Sequence, residues 1–118
     1  MSEPIEELTN IDRVLHEPAR LAILTALDAC VSADFMYLQA LARLSRGNLS
    51  LHLGKLEARG LIEIEKTFRR KTPRTVVRLT KEGRTAIRTH WRRLETTRRT
   101  VSRWMMRRRM VPPEPALV

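Results

Sequence analysis

Side chains between residues 46 and 55 have the chemistry to bind a polyanion and to distinguish its bases. Arginine and lysine donate to phosphate oxygens, asparagine and serine offer donors and acceptors to base edges, and leucine can contact a thymine methyl group. The candidates are Arg46, Asn48, Ser50, Leu51, His52 and Lys55. We interpret His52 as a structural or phosphate-contacting residue, since no second metal ligand stands four residues away.

A second basic group follows about fifteen residues later. It consists of Arg69, Arg70, Lys71 and Arg74, which fall within six residues. A solvated turn that favours charged residues explains such a group by itself. Next to the 46–55 segment, the group is better interpreted as a hairpin tip that lies along a phosphate backbone or enters a minor groove.

The net charge supports a polyanionic partner. The chain carries 23 basic and 13 acidic residues, a formal charge of +10, and residues 1–36 hold seven of the acidic but only two of the basic residues. Such polarity directs one basic surface at nucleic acid or, as a second candidate, at an anionic membrane. The longest apolar stretch, Leu21–Leu27, is too short to span a bilayer, and the acidic start lacks a signal-peptide pattern, so we expect a cytoplasmic protein without a membrane partner.

Several classes of site have no support in the sequence. Cys30 is the only cysteine, so an internal disulfide and a zinc site of several thiolates are excluded, and we expect a buried Cys30. His16 and His90 also lack partners at metal-ligand spacing, so we predict no metal and no cofactor. No glycine-rich phosphate loop or nucleophile motif is present, and the chain is not expected to be an enzyme.

The basic groups need elements that position them. Apolar spacing and Pro18 predict a helix over 18–30, and a short helix over 38–44 precedes Ser45, a suitable cap for a helix over 46–59. Gly60 is suited to end that helix. Leu49, Leu53 and Leu56 then form the buried stripe and leave the polar residues on the opposite face. Two short helices joined by a tight turn predict a helix-turn-helix.

Alternating residues predict strands after Gly60. Ile62, Ile64 and Phe68 fall on one face of the first strand, and Thr75, Val77 and Leu79 follow on a second one. The basic residues of 69–73 form the connection of this hairpin, in which we expect Pro73 to lie outside the ladder. Residues 32–37 are predicted to be a loop or a minimal strand, so the sheet has two or three strands.

A long last helix is predicted after Thr80, which can cap it. Apolar side chains at steps of three and four predict that this helix pairs with its copy in a second subunit, although Arg98 and Arg108 interrupt the seam. Packing of its first half on its own domain is the alternative. The predicted dimerisation residues are Ile87, Trp91, Leu94, Val101, Trp104 and Met105. A second amphipathic helix for packing is predicted around Ile5, Leu8, Ile11, Val14 and Leu15.

These elements predict an α+β fold, mainly α: a winged helix-turn-helix with a two- or three-stranded β-wing and a long C-terminal helix. Residues 1–110 are expected to form a single domain with dimerisation helices at both ends. Residues 111–118, which contain three prolines, are expected to be a flexible tail.

Three segments resemble winged helix regulators related to the MarR and ArsR families, above all their short single-domain subgroup. Residues 11–24 are similar to the opening of that subgroup, 47–57 to its recognition helix, and 79–84 to its turn into the final helix. The resemblance implies sequence-specific binding of double-stranded DNA by a homodimer that regulates transcription. The cysteine pair of ArsR metal sensors is absent, so metal control is not implied, and any small-molecule effector stays open.

Two other functions remain open at this stage. A basic winged helix could bind structured RNA or associate with the ribosome by reading shape. An arginine-rich last helix could also dock on an acidic protein. An aromatic content of 4% argues against single-strand binding by base stacking.

Overall fold

The computed structural model describes residues 11–108, which divide into two compact units. One unit is Asp12–His90, and the described part of the other is Ile11 with residues 91–108. The predictions for Ile5 and Leu8 and for the tail 111–118 lie outside the described residues.

Helices and an antiparallel sheet alternate along the described chain. The elements are α1 (Pro18–Cys30), β1 (Ser32–Asp34), α2 (Phe35–Ala42), α3 (Arg46–Ala58), β2 (Ile62–Arg69), β3 (Thr72–Leu79) and α4 (Lys81–Arg107). The sheet order is β1-β3-β2, and both pairings are antiparallel. The predicted α+β class, mainly α, with two or three strands and a long C-terminal helix, is confirmed, and the sheet has three strands.

The start of α1 is capped from its own sequence. Glu17 accepts a hydrogen bond from the backbone N–H of Arg20 at 2.9 Å, and Pro18 occupies the first turn, where no N–H is needed. The prediction that Val14 and Leu15 continue an upstream helix is wrong, since residues 13–15 form a turn. Pro18 has no N–H to bond the carbonyl of Val14, which instead accepts from Nε of Arg20 at 2.6 Å.

The helix-turn-helix is built by two caps. Asp34 accepts from the backbone N–H of Met36 at 2.7 Å, so α2 begins at Phe35, three residues before the predicted start. The helix ends where Arg43 adopts a left-handed conformation, with φ 54°. Ser45 then accepts from the N–H of Asn48 at 3.1 Å and starts α3, as predicted.

Gly60 ends the next element. It has φ +71°, and the N–H of Leu61 bonds the carbonyl of Leu56 at 3.1 Å, so the last carbonyls of α3 are satisfied by a Schellman-type turn. The predicted stop at Gly60 is confirmed.

The hairpin connection is shorter than predicted. Only Arg70 and Lys71 lie between the strands, both with positive φ (51° and 67°), which is the geometry of a two-residue type I′ turn. Pro73 therefore lies within β3, opposite Phe68, and the prediction that it lies outside the ladder is wrong. Its missing N–H is tolerated because β1 pairs with β3 only at residues 76–78, which leaves that side of the ladder open at Pro73.

One apolar core holds the Asp12–His90 unit together. Its largest fully buried side chains are Ile23, Leu24, Leu27, Leu38, Leu49, Leu53, Leu56, Ile62, Ile87 and Val77. Gly83 is required where α4 meets this core, since a Cβ there would overlap the carbonyl oxygen of Leu61. The expectation of a buried Cys30 is wrong: it is the last residue of α1, is exposed, and donates to the carbonyl of Ala26.

Candidate nucleic-acid interface

Helix α3 separates a buried stripe from an open face. Leu49, Leu53 and Leu56 are in the core, as the periodicity predicts. The exposed residues on the remaining surface include Arg46, Asn48, Ser50, Leu51 and Lys55, with Leu51 67% exposed. The structure thus places these five predicted residues on one accessible helix.

Two glycines leave positions on the exposed face of α3 without a side chain. A Cβ added at Gly47 or Gly54 would have no other atom within 4 Å, so neither glycine is required by packing in the described structure. Absence of a side chain at both positions lets another molecule approach the helix backbone closely. That geometry suits insertion of α3 into the major groove of DNA, which is about 12 Å wide.

His52 lies at the edge of this face, and two polar side chains lie close to its ring. Its Nδ1 is 3.2 Å from Nη1 of Arg20, which is only 8% exposed, and 3.6 Å from Oε2 of Glu17. Burial opposes ionisation of Glu17, but hydrogen bonds from the N–H groups of Arg20 and Ala19 and nearby positive charge prevail, so the pKa of Glu17 lies below its usual value. Arg20 and Glu17 thus both lie close to the same ring nitrogen of His52.

The hairpin tip presents cations in a fixed shape. Arg69, Arg70 and Lys71 are all exposed. The two central residues of the turn are held at positive φ, a conformation that non-glycine residues adopt at a cost. The turn therefore keeps two long basic side chains where Asn-Gly is the usual choice.

Arg74 is placed differently from the other three. Its guanidinium is partly buried and bonds Oδ2 of Asp34 through Nη2 at 2.6 Å and Nε at 2.9 Å. Asp34 is also the cap of α2. The hydrogen bond from Arg74, followed by that from Met36, holds the pKa of Asp34 below its ordinary value. Arg74 thus ties the hairpin to the helix-turn-helix.

Two open grooves connect α3 with the hairpin. The larger, about 540 Å³, has Arg46, Arg69, Arg70 and Arg74 in its wall beside Met36. The smaller, about 340 Å³, runs between α3 and the hairpin. Its walls include Arg46, Ser50, Gly54, Lys66 and Thr75. Arg46 belongs to both grooves, so the cations of helix and hairpin line one surface.

A family model described as a winged helix DNA-binding domain matches residues 19–97 of this chain. The match includes the helix-turn-helix, the hairpin and the first part of α4. The chain belongs to this winged helix family. The predicted resemblance to winged helix regulators is confirmed.

Individual relatives agree with this placement of the winged helix. An uncharacterised protein from Methanocaldococcus jannaschii is 31% identical over 78 residues, which cover 66% of this chain and 85% of that protein. A transcriptional regulator homologue from Pyrococcus horikoshii superposes with a TM-score of 0.76 at 29% identity, covering 85% of this chain and 98% of the other. A MarR family regulator from Silicibacter pomeroyi shares the fold, with a TM-score of 0.58 at 24% identity over 86% of this chain and 64% of its own.

Ile87 does not belong to a surface of this winged helix. It is 1% exposed and is part of the core of the Asp12–His90 unit, so its assignment as a dimerisation residue is wrong. The alternative that the first part of the last helix packs on its own domain is correct at this position. Apolar residues spaced three and four positions apart predict an apolar stripe on a helix. The spacing does not show which element of the fold packs against that stripe.

The part of α4 from residue 91 onwards keeps apolar surface. Trp91 is 45% exposed, and four other predicted dimerisation residues are partly buried. These are Leu94, Val101, Trp104 and Met105. Arg98 bonds Glu95 of its own helix at 2.6 Å, so one of the two arginines in the seam is already paired.

Sequence reasoning missed three residues of the interface region of this winged helix. Lys66 lines the smaller groove, and Phe35 supports Arg46, whose guanidinium lies 5.7 Å from the ring centroid. Phe68 is 72% exposed, although the alternation predicted it on the apolar face of its strand. The length of the hairpin strands was not evident from the sequence. Because the turn has only two residues, β2 extends past the core and leaves Phe68 exposed.

The described residues also bear on metal binding and on membrane insertion. Among residues 11–108, no three His, Cys, Asp or Glu side chains group in a way that could hold a metal ion. In the same part of the chain, no helix is both long and apolar enough to cross a membrane.

Proposed function

We propose that this winged helix binds specific sequences of double-stranded DNA as a homodimer and regulates transcription in the cytoplasm, without catalytic activity. The observation that carries the proposal is the pair of grooves that share Arg46. They join the open face of α3 to the cations of the hairpin, which we now call the wing. A helix in the major groove with a basic hairpin beside it uses both parts of this surface.

Within the proposal, α3 reads the bases. Asn48 and Ser50 supply donors and acceptors to base edges, and Leu51 contacts a thymine methyl group. Arg46 and Lys55 bind phosphates on the groove walls, and His52 donates to a phosphate at the edge of the helix. Gly47 and Gly54 permit the approach.

In the same proposal, the wing binds the DNA backbone beside the site that α3 reads. Arg69, Arg70 and Lys71 are exposed cations at the tip and contact phosphates or the minor groove. Arg74 acts through Asp34 by fixing the angle between wing and helix-turn-helix, because its guanidinium is already bonded there.

The homodimer is proposed to form through the part of α4 from residue 91 onwards. Trp91, Leu94, Val101, Trp104 and Met105 provide the apolar contacts, and Ile87 is excluded from this set. Two recognition helices related by a two-fold axis would read half-sites one helical turn apart, at about 34–36 Å. A monomer mass by light scattering at micromolar protein would contradict this part of the proposal.

Selection of duplexes from a random library tests the function directly. We expect enrichment of a two-fold symmetric motif, and binding to it that weakens steeply with salt because phosphate contacts release counterions. Equal affinity for a random duplex and for the selected one would overturn the regulator proposal. Structured RNA that outcompetes the selected duplex would establish the RNA-binding alternative.

Single substitutions separate phosphate contacts from base contacts. Lys55→Ala and Arg70→Ala should weaken binding to all duplexes and lower the salt slope by about two each, because each change removes one phosphate contact from both subunits of the proposed dimer. Asn48→Ala should instead relax sequence preference at one position of each half-site. Lys81→Ala is the matched control, since this exposed lysine lines neither groove and should leave affinity and slope unchanged.

A further inference from the structure

The wing carries an apolar tip among its cations. Phe68 is 72% exposed, two residues before the turn formed by Arg70 and Lys71. Pro73 is its register partner on β3, so the two side chains lie on the same face of the hairpin. The exposed ring has no role in the core, and its position near the tip of a basic hairpin makes it available to whatever the hairpin binds.

The face that bears Phe68 is the one turned towards α3. Side chains alternate along a strand, so Phe68 shares its face with Ile62, which is in the core, and with Lys66. Lys66 and its register partner Thr75 line the smaller groove opposite Ser50 of α3. Phe68 and Pro73 are the next pair along this face. They therefore border the surface proposed to hold DNA.

We propose that Phe68, backed by Pro73, is an apolar wedge that enters the minor groove next to the half-site and pries open one base step. The inference rests on the proposed duplex binding. The charge of the tip favours DNA as the molecule that binds Phe68. Arg69, Arg70 and Lys71 surround the tip, and an apolar protein surface would not neutralise their positive charges. Phenylalanine and proline are among the side chains that partly unstack base steps and bend DNA towards the major groove.

The wedge makes the wing a reader of DNA flexibility. Pyrimidine–purine steps unstack at the lowest cost, so selected sites should carry such a step at the position under the wing. The arginines contribute affinity at this position, whereas the wedge contributes preference without hydrogen bonds to bases.

Bending is measured on the highest-affinity duplex from the random library, labelled with a donor and an acceptor dye at its two ends. Binding of the full chain should raise energy transfer, because a bend shortens the distance between the ends. Phe68→Ala should lose most of this rise at saturating protein and weaken binding roughly tenfold, the equivalent of about 1.4 kcal/mol. Phe68→Leu should keep the bend, since leucine also serves as a wedge.

Two further variants locate the effect. Arg70→Ala should weaken affinity and its salt dependence but preserve the bend at saturation. Tyr37→Ala removes another exposed aromatic ring, one that lines neither groove, and should change neither quantity.

The outcomes separate the wedge from the proposed function. An unchanged bend and affinity in Phe68→Ala, with wild-type binding intact, overturns the wedge alone. A loss of dimer mass in Phe68→Ala assigns the ring to a protein contact and also overturns it. Failure of the wild-type chain to bind any duplex overturns the proposed function and the wedge together.

Discussion

Nη1 of the Arg20 guanidinium lies 3.2 Å from Nδ1 of His52, and this contact predicts which nitrogen of a neutral His52 ring carries the proton. Arginine can only donate hydrogen bonds, so Nδ1 must accept with its lone pair. The neutral imidazole then has its hydrogen on Nε2. Burial of Arg20 and its bond to the carbonyl of Val14 keep this donor in place.

The first prediction concerns this tautomer. Nitrogen NMR of the His52 ring should show the Nε2–H form in the free protein, and Arg20→Met should remove the preference and weaken duplex binding. Arg59→Met is the matched control, because it breaks the ion pair with Asp12, 2.7 Å long, in the same unit. An Nδ1–H tautomer in the wild type would contradict the assignment.

Glycine has opposite roles at two positions of the chain. Gly83→Ala should destabilise the fold by about 1–3 kcal/mol, since the added methyl group overlaps the carbonyl of Leu61. Gly54→Ala has open space and should stabilise α3 by about 0.5–1 kcal/mol while lowering DNA affinity. Urea unfolding and duplex titration of both variants check the pair. Equal stability of the two would sink the packing argument for Gly83.

We expect the free energy of unfolding to decrease at acidic pH because of Asp34. The hydrogen bond from Arg74 lowers the pKa of this carboxyl in the folded state, so its contribution is present above the unfolded pKa, about 3.9, and is lost as pH falls through the lower folded value. Acid titration of unfolding should therefore be shallower in Asp34→Asn. Arg74→Met should return the pKa of Asp34 towards its ordinary value by NMR. Glu63→Gln, at an exposed position on β2, controls for the loss of a carboxylate.

The wing turn should trade stability against binding. Replacing Arg70 and Lys71 by Asn-Gly removes the cost of positive φ at two long side chains, and we expect roughly 1 kcal/mol of added stability. The same change should reduce the salt slope of DNA binding by about four in the proposed dimer, because two cations are lost from each subunit. Thermal unfolding and salt titrations measure the two effects, and a variant that gains no stability would argue against a strained turn.

The seam on α4 is tested by charge. Val101→Glu should convert the proposed dimer to a monomer, as measured by light scattering, because it places a carboxylate among partly buried apolar side chains. Ser102→Glu adds the same charge at an exposed neighbouring position and should remain dimeric. A dimer that survives Val101→Glu would move the interface elsewhere.

The exposed side of α3 could be predicted because periodicity and caps are local. Ser45 and Gly60 mark both ends of the helix by chemistry that the sequence displays, and the buried leucines determine the opposite face. The roles of Ile87 and Arg74 could not be predicted in this way. Ile87 depends on which element covers a stripe, and Arg74 on Asp34, forty residues earlier in the chain.

The hairpin shows the same limit within a single motif. Arg70 and Lys71 carry none of the usual residue signals of a type I′ turn, so the connection was predicted too long and Pro73 was placed outside the strand. The exposure of Phe68 follows from this register and was missed for the same reason.

The exposed thiol of Cys30 makes this chain suitable for distance measurements without removal of other cysteines. It is the single cysteine, and it lines none of the grooves between α3 and the wing. A spin label there would occur once per subunit, so an assembled pair would contain two. Their separation would report how far one subunit turns against the other when a duplex is bound.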